Sequence, residues 1–67
     1  MEKKKTYAEK LVELRKNKGV SRADVAKAVG VTYSAINMYE RGDRIPKDSI
    51  KVALSKYYGK SVNFIFY

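Results

Sequence analysis

Apolar residues recur along this chain at helical spacing. Tyr7, Leu11 and Leu14 stand four and three residues apart, the interval that puts side chains on one face of an α-helix. Glu9, Lys10, Glu13, Lys16 and Asn17 fall on the other face, toward solvent. Thr6-Tyr7-Ala8-Glu9 has the form of a capping box, in which the Thr6 hydroxyl accepts from the amide three residues on and Glu9 reaches back to the Thr6 amide. A first helix is predicted to start there and to stop at Gly19 in the left-handed conformation.

Ser21-Arg22-Ala23-Asp24 repeats the start signal, with Asp a shorter arm than the usual Glu or Gln. It predicts a second helix over about Arg22 to Val29, with Val25, Ala26 and Val29 inward and Gly30 as its stop. Thr32 caps a third, with Ile36 and Tyr39 inward and Gly42 at its end. Gly42-Asp43-Arg44-Ile45-Pro46 reads as a turn, since Pro fits just ahead of a helix but not inside one. A fourth helix is predicted from about Asp48 to Tyr58, presenting Ile50, Ala53, Leu54, Tyr57 and Tyr58, with Gly59 closing it. Ser61 then caps a last short turn holding Val62, Ile65 and Phe66. No repeat, low-complexity tract or strand-like alternation competes, so the expected class is all-α, a compact five-helix domain.

Met1 to Lys5 is charged and lacks apolar periodicity, so residues 1–5 are expected to be a flexible basic arm and residues 6–67 a single domain. With 67 residues, one core of this size buries only about 60% of the surface of the unfolded chain. Cys and His are both absent, which excludes disulfides, thiolate zinc sites, thiol nucleophiles and the usual neutral-pH proton carrier. Nothing places a nucleophile beside a base, and there is no metal cluster or phosphate-cradling glycine loop. Neither an enzyme nor a cofactor is expected. No apolar run approaches the ~20 residues that span a bilayer, and the start is no signal core, so the expected location is cytoplasmic, without a membrane partner.

Fifteen Lys and Arg against seven Asp and Glu give a net charge of +8. A polyanionic partner fits this excess, and so does simple solubility; position along the chain separates the two. The informative stretch is Ser21 to Gly42, two short helices joined by a tight turn at Gly30. Ala26 is small where the two helices approach, and Gly30 allows the chain to reverse within a few residues. Val31, Ile36 and Tyr39 anchor the second helix from one side and leave its other side free.

In Leu14-Arg15, Ala26, Gly30, Val31, Ile36, Glu40, Gly42, Pro46, Gly59 and the closing Ser61-Val62 to Phe66, the chain resembles the Cro and repressor helix-turn-helix family, also called the XRE family, over Leu11 to Phe66. The resemblance implies a Cro/repressor-like DNA-binding domain whose third helix, residues 32–41, enters the major groove. The outward residues near its start, Thr32, Tyr33, Ser34, Asn37 and Met38, are then the expected base readers. Asn37 is the sharpest, because its amide pairs with adenine, while the Tyr33 hydroxyl also reaches for a phosphate. Tyr33 and Met38 packed under a neighbouring helix, or Asn37 merely exposed, are the plain alternatives.

Family members commonly carry Gln where this chain has Arg22, at a contact with the DNA backbone, and arginine keeps such a contact. Arg41, Arg44 and Lys47 complete the expected phosphate contacts, with the amides around Gly42 as neutral donors and Lys27 as a weaker one. Lys3, Lys4 and Lys5 either wrap the duplex or form a solubilising tail. The resemblance further implies an internal, structural ion pair between Arg15 and Glu40. It also implies a homodimer on palindromic half-sites about one helical turn apart. Phe64 and Tyr67 are assigned to the dimer surface, with Ile65 inward; the alternative is that this end folds back to finish the core.

The expected function is a sequence-specific DNA-binding transcriptional regulator, most simply a repressor from a phage or mobile element. A restriction-modification controller and an autoregulating antitoxin also fit, and activation stays open. The alternative class is a protein-binding module, such as an antitoxin whose tyrosine-rich fourth helix and aromatic tail cover a toxin. Salt dependence separates the two, since phosphate binding weakens steeply with ionic strength.

Overall fold

The computed structural model describes residues 5–67. The first four positions of the expected basic arm lie outside the described residues. Lys5 lies within them, and its ammonium pairs with Glu13 on the first helix.

Five α-helices follow in order: α1 (Tyr7–Lys18), α2 (Arg22–Val29), α3 (Tyr33–Arg41), α4 (Asp48–Tyr58) and α5 (Val62–Phe66). Local chemistry explains where they begin. Thr6 Oγ1 accepts from the Glu9 amide at 3.2 Å while Glu9 Oε1 accepts from the Thr6 amide at 2.9 Å. The shorter Asp24 closes the equivalent box with Ser21, both bonds being 3.1 Å. Thr32 accepts from the Ala35 amide and Ser61 from the Phe64 amide, each at 3.0 Å. These bonds satisfy donors that have no partner inside the helix. α4 is the exception, because Lys47 stands at its N-cap and gives no side-chain bond.

Gly30 takes φ +82°, where a side chain would be strained. Its amide and that of Val31 both donate to the Ala26 carbonyl, at 2.9 and 3.0 Å. This double closure turns the chain from α2 into α3 within Gly30, Val31 and Thr32.

Leu11, Val25, Ala26, Ala35, Ile36, Tyr39, Leu54 and Ile65 form the core, with Tyr7, Leu14, Val20, Val29, Val31, Ile50, Tyr57, Tyr58 and Phe66 packed around it. α3 lies against both α1 and α2, and α4 against α2 and α5. α5 returns to α1, where the rings of Tyr7 and Phe66 meet at 5.9 Å. Ala8 and Ser55 are buried as well, though neither belongs to an apolar stripe visible in the sequence. Small side chains are buried here because the helices come close. One edge of α3 is thereby held in the body, and the opposite edge is left at the surface.

Candidate nucleic-acid interface

α3 divides cleanly. Ala35, Ile36, Tyr39 and Glu40 are buried on one side, whereas Thr32, Tyr33, Ser34 and Arg41 are exposed on the other. Asn37 and Met38 lie between these limits, each half-buried at the edge of the exposed strip. The Thr32 oxygen accepts one bond as the helix cap, which leaves its hydroxyl the proton and one lone pair to offer outward. Ser34 makes no such commitment and stands in solvent.

The buried carboxylate of Glu40 is the electrostatic centre of the motif. Its Oε2 takes the Arg15 Nε–H at 2.8 Å and its Oε1 takes the Arg22 Nε–H at 3.0 Å. The Glu40 side chain is 4% exposed, Arg15 12% and Arg22 38%. Arg15 also donates to the Val20 carbonyl at 3.2 Å, which locks it inside. Arg22, expected only as a phosphate contact, is therefore also a structural partner of Glu40. Sequence reasoning missed this second arm, because no local signal couples positions eighteen residues apart. The Glu40 carboxylate, and after it the Tyr33 hydroxyl, hold the Arg22 guanidinium above its usual pKa, so it stays charged.

The basic residues beyond α3 are at the surface. Arg41 forms an exposed pair with Asp43 at 3.2 Å, and exposed pairs of this kind are weak enough to open for a better partner. Arg44 is exposed, and its backbone carbonyl takes the Tyr7 hydroxyl at 3.0 Å, which fixes the loop against α1. Lys47 is exposed at the start of α4. Lys27 is exposed on α2.

Two of the amides around Gly42 close the end of α3: Gly42 N–H meets the Tyr39 carbonyl at 3.2 Å and Asp43 N–H the Met38 carbonyl at 2.9 Å. A helix ending in a left-handed residue turns these amides back onto its own last carbonyls.

At the far end of the fold Phe64 and Tyr67 are exposed, while Ile65 is fully buried. Lys10 and Lys60 each lie 5.4 Å from the Phe64 ring centre, and Lys51 lies 4.9 Å from that of Tyr67. Lys51 also donates to the Tyr67 hydroxyl at 2.9 Å. Among the described residues no group of three or more potential metal ligands gathers, and no helix is long and apolar enough to cross a membrane.

Two short helices joined through Gly30, with one edge of the second presented outward, define a helix-turn-helix domain. The helix-turn-helix family matches residues 11–65, and the chain belongs to that family, in its Cro/repressor-type form. The chain is similar to the solved P22 c2 repressor protein in complex with a synthetic operator, with a TM-score of 0.91 and 28% sequence identity. That similarity covers 94% of this chain and 96% of the other. No curated protein is close enough in sequence to match.

Proposed function

We propose that this chain is a DNA-binding transcription regulator that reads a short palindromic operator as a homodimer, with α3 in the major groove. The observation that carries the reading is the exposed edge of α3, bearing Tyr33, Ser34 and the rim residues Asn37 and Met38, opposite an edge fixed in the core. An α-helix fits the major groove, where every base pair shows a distinct set of donors, acceptors and methyl groups. Arg22, Arg41, Arg44 and Lys47 flank that edge in the sequence and supply phosphate contacts that set register. The similarity to a repressor solved on its operator supports the same reading.

The simplest mode of action is repression in the cytoplasm, by occupying an operator that polymerase needs. Phe64 and Tyr67 are the residues assigned to the dimer contact, as the exposed aromatic residues of α5 and its cap. No catalysis is assigned.

Selection from a random duplex pool tests the proposal. One enriched inverted repeat is expected, with affinity for it falling steeply as salt rises. In that site Asn37→Ala is expected to relax preference at one position by ~1–3 kcal/mol, whereas Arg44→Ala weakens all duplexes alike. No enrichment, with binding that ignores salt, would replace this reading by the protein-docking one. Sedimentation that finds only monomer, free and on the selected duplex, would remove the dimer.

A further inference from the structure

Three lysines from three parts of the chain gather around α5. Lys10 of α1 and Lys60, in the link after α4, lie over the Phe64 ring, and Lys51 of α4 lies over both Phe66, at 5.5 Å, and Tyr67. Two of these ammoniums are also tied down, Lys10 on the Phe64 carbonyl at 2.7 Å and Lys51 on the Tyr67 hydroxyl at 2.9 Å. Among the described residues none of the three forms an ion pair with a carboxylate. An ammonium has three donors, so Lys10 and Lys51 each keep two for a newcomer. The rings remain open to solvent, Phe64 by 51% and Tyr67 by 69%. Beside them lies a groove of about 300 Å³ to which Tyr7, Lys10, Ile65, Phe66 and Tyr67 contribute. That is the small end of the range for ligand pockets and suits a single side chain.

We propose that this face binds an acidic segment of another protein, whose carboxylates meet Lys10, Lys51 and Lys60 while one apolar or aromatic side chain enters the groove beside Tyr67. The proposal goes beyond the DNA-binding reading and does not rest on it. Protein interfaces are built as an apolar centre inside a polar rim, and here the rim carries one sign of charge. Unpaired positive charge selects an acidic partner and speeds its arrival. Lysines already held in place lose little freedom when that partner binds. A single strand of nucleic acid is anionic too, but its bases need open ring faces to stack on, and lysines lie over those of Phe64 and Tyr67. A second copy of the chain reaches the same rings only against the repulsion of its own three lysines. It and the acidic segment compete for one surface.

Titration of the full chain, without DNA, with a synthetic peptide of glutamates around one central Phe tests this, a peptide with Ser in place of that Phe being the control. The Phe peptide is expected to bind about tenfold more tightly than the Ser peptide. Phe64→Ala and Lys51→Gln/Lys60→Gln are each expected to weaken it by about tenfold. Lys16→Gln, which removes a charge from the last turn of α1, should change it by less than about twofold. Backbone amide shifts on adding the peptide are expected at Lys10 and residues 60–67 and not along α3. Equal binding of the two peptides, shifts confined to α3, or an oligothymidylate that binds residues 60–67 more tightly than the Phe peptide would each overturn the proposal. So would sedimentation that finds a dimer, lost in Phe64→Ala, persisting at saturating peptide. A chain that takes the peptide as expected yet binds no duplex would overturn the DNA reading and support this one.

Discussion

Replacing Glu40 by Gln keeps the shape of the side chain and removes its charge. Arg15, only 12% exposed and 2.8 Å from the carboxylate, then sits in the fold without a counter-charge. Arg22 is 38% exposed and turns to water, so it contributes little to the penalty. Removing one partner of a buried pair costs ~3–5 kcal/mol, because the remaining charge is stranded away from water. The glutamine carbonyl still accepts one bond, which places the expected loss at the lower end, about 3 kcal/mol. A domain of this length has roughly 3–10 kcal/mol in total, so the variant keeps a fold that melts early. The fall in Tm is expected to be on the order of 12–24 °C.

Thermal and urea unfolding followed by far-ultraviolet circular dichroism measure it. Arg15→Met/Glu40→Leu provides the control. Taking both charges out removes the desolvation cost as well as the attraction, so the double variant is expected to be more stable than Glu40→Gln. A loss below about 1 kcal/mol for Glu40→Gln would refute the reasoning, since it is the value of an ordinary solvated pair.

Three further outcomes follow from the packing and the backbone. Ile65 is fully buried on a helix of only five residues, so Ile65→Ala is expected to cost ~2–5 kcal/mol, read from urea unfolding. Gly42 has φ +79° and open enough surroundings, the nearest atom to an added Cβ being that of Ala8 at 3.6 Å. Gly42→Ala should therefore lose only the backbone term, ~1–2 kcal/mol by the same measurement. Burial raises the pKa of the half-buried Tyr58 above the ordinary tyrosine value, with the Glu40 carboxylate adding to the rise. A raised folded pKa means that stability present below about pH 10 is lost as the solution becomes more alkaline. Urea midpoints measured across that range should fall for the parent chain and fall less for Tyr58→Phe.

What the sequence could determine is what is decided within a few residues. Thr6 with Glu9, Ser21 with Asp24, Thr32 and Ser61 cap helices through bonds that span three positions. The glycines stop helices at the residue where they stand. Spacing of apolar side chains likewise found Leu11, Val25, Ile36, Leu54 and Ile65, because a large apolar group on a helical stripe has one favourable place to go. Ala8, Ala35 and Ser55 carry too little apolar surface to announce their burial. Asn37 and Met38 were legible as outward residues, but only packing set them half-covered at the rim.

The tertiary structure decided the rest of the site. Arg22 reaching Glu40 depends on how α2 crosses α3, and Lys10 bonding the Phe64 carbonyl joins residues fifty-four positions apart. The Gly42 amide is turned onto the Tyr39 carbonyl by the same left-handed stop that the sequence announced. A cap is a bond between neighbours in the chain and can be read from their names. An ion pair across two helices exists only once the core has fixed the distance between them.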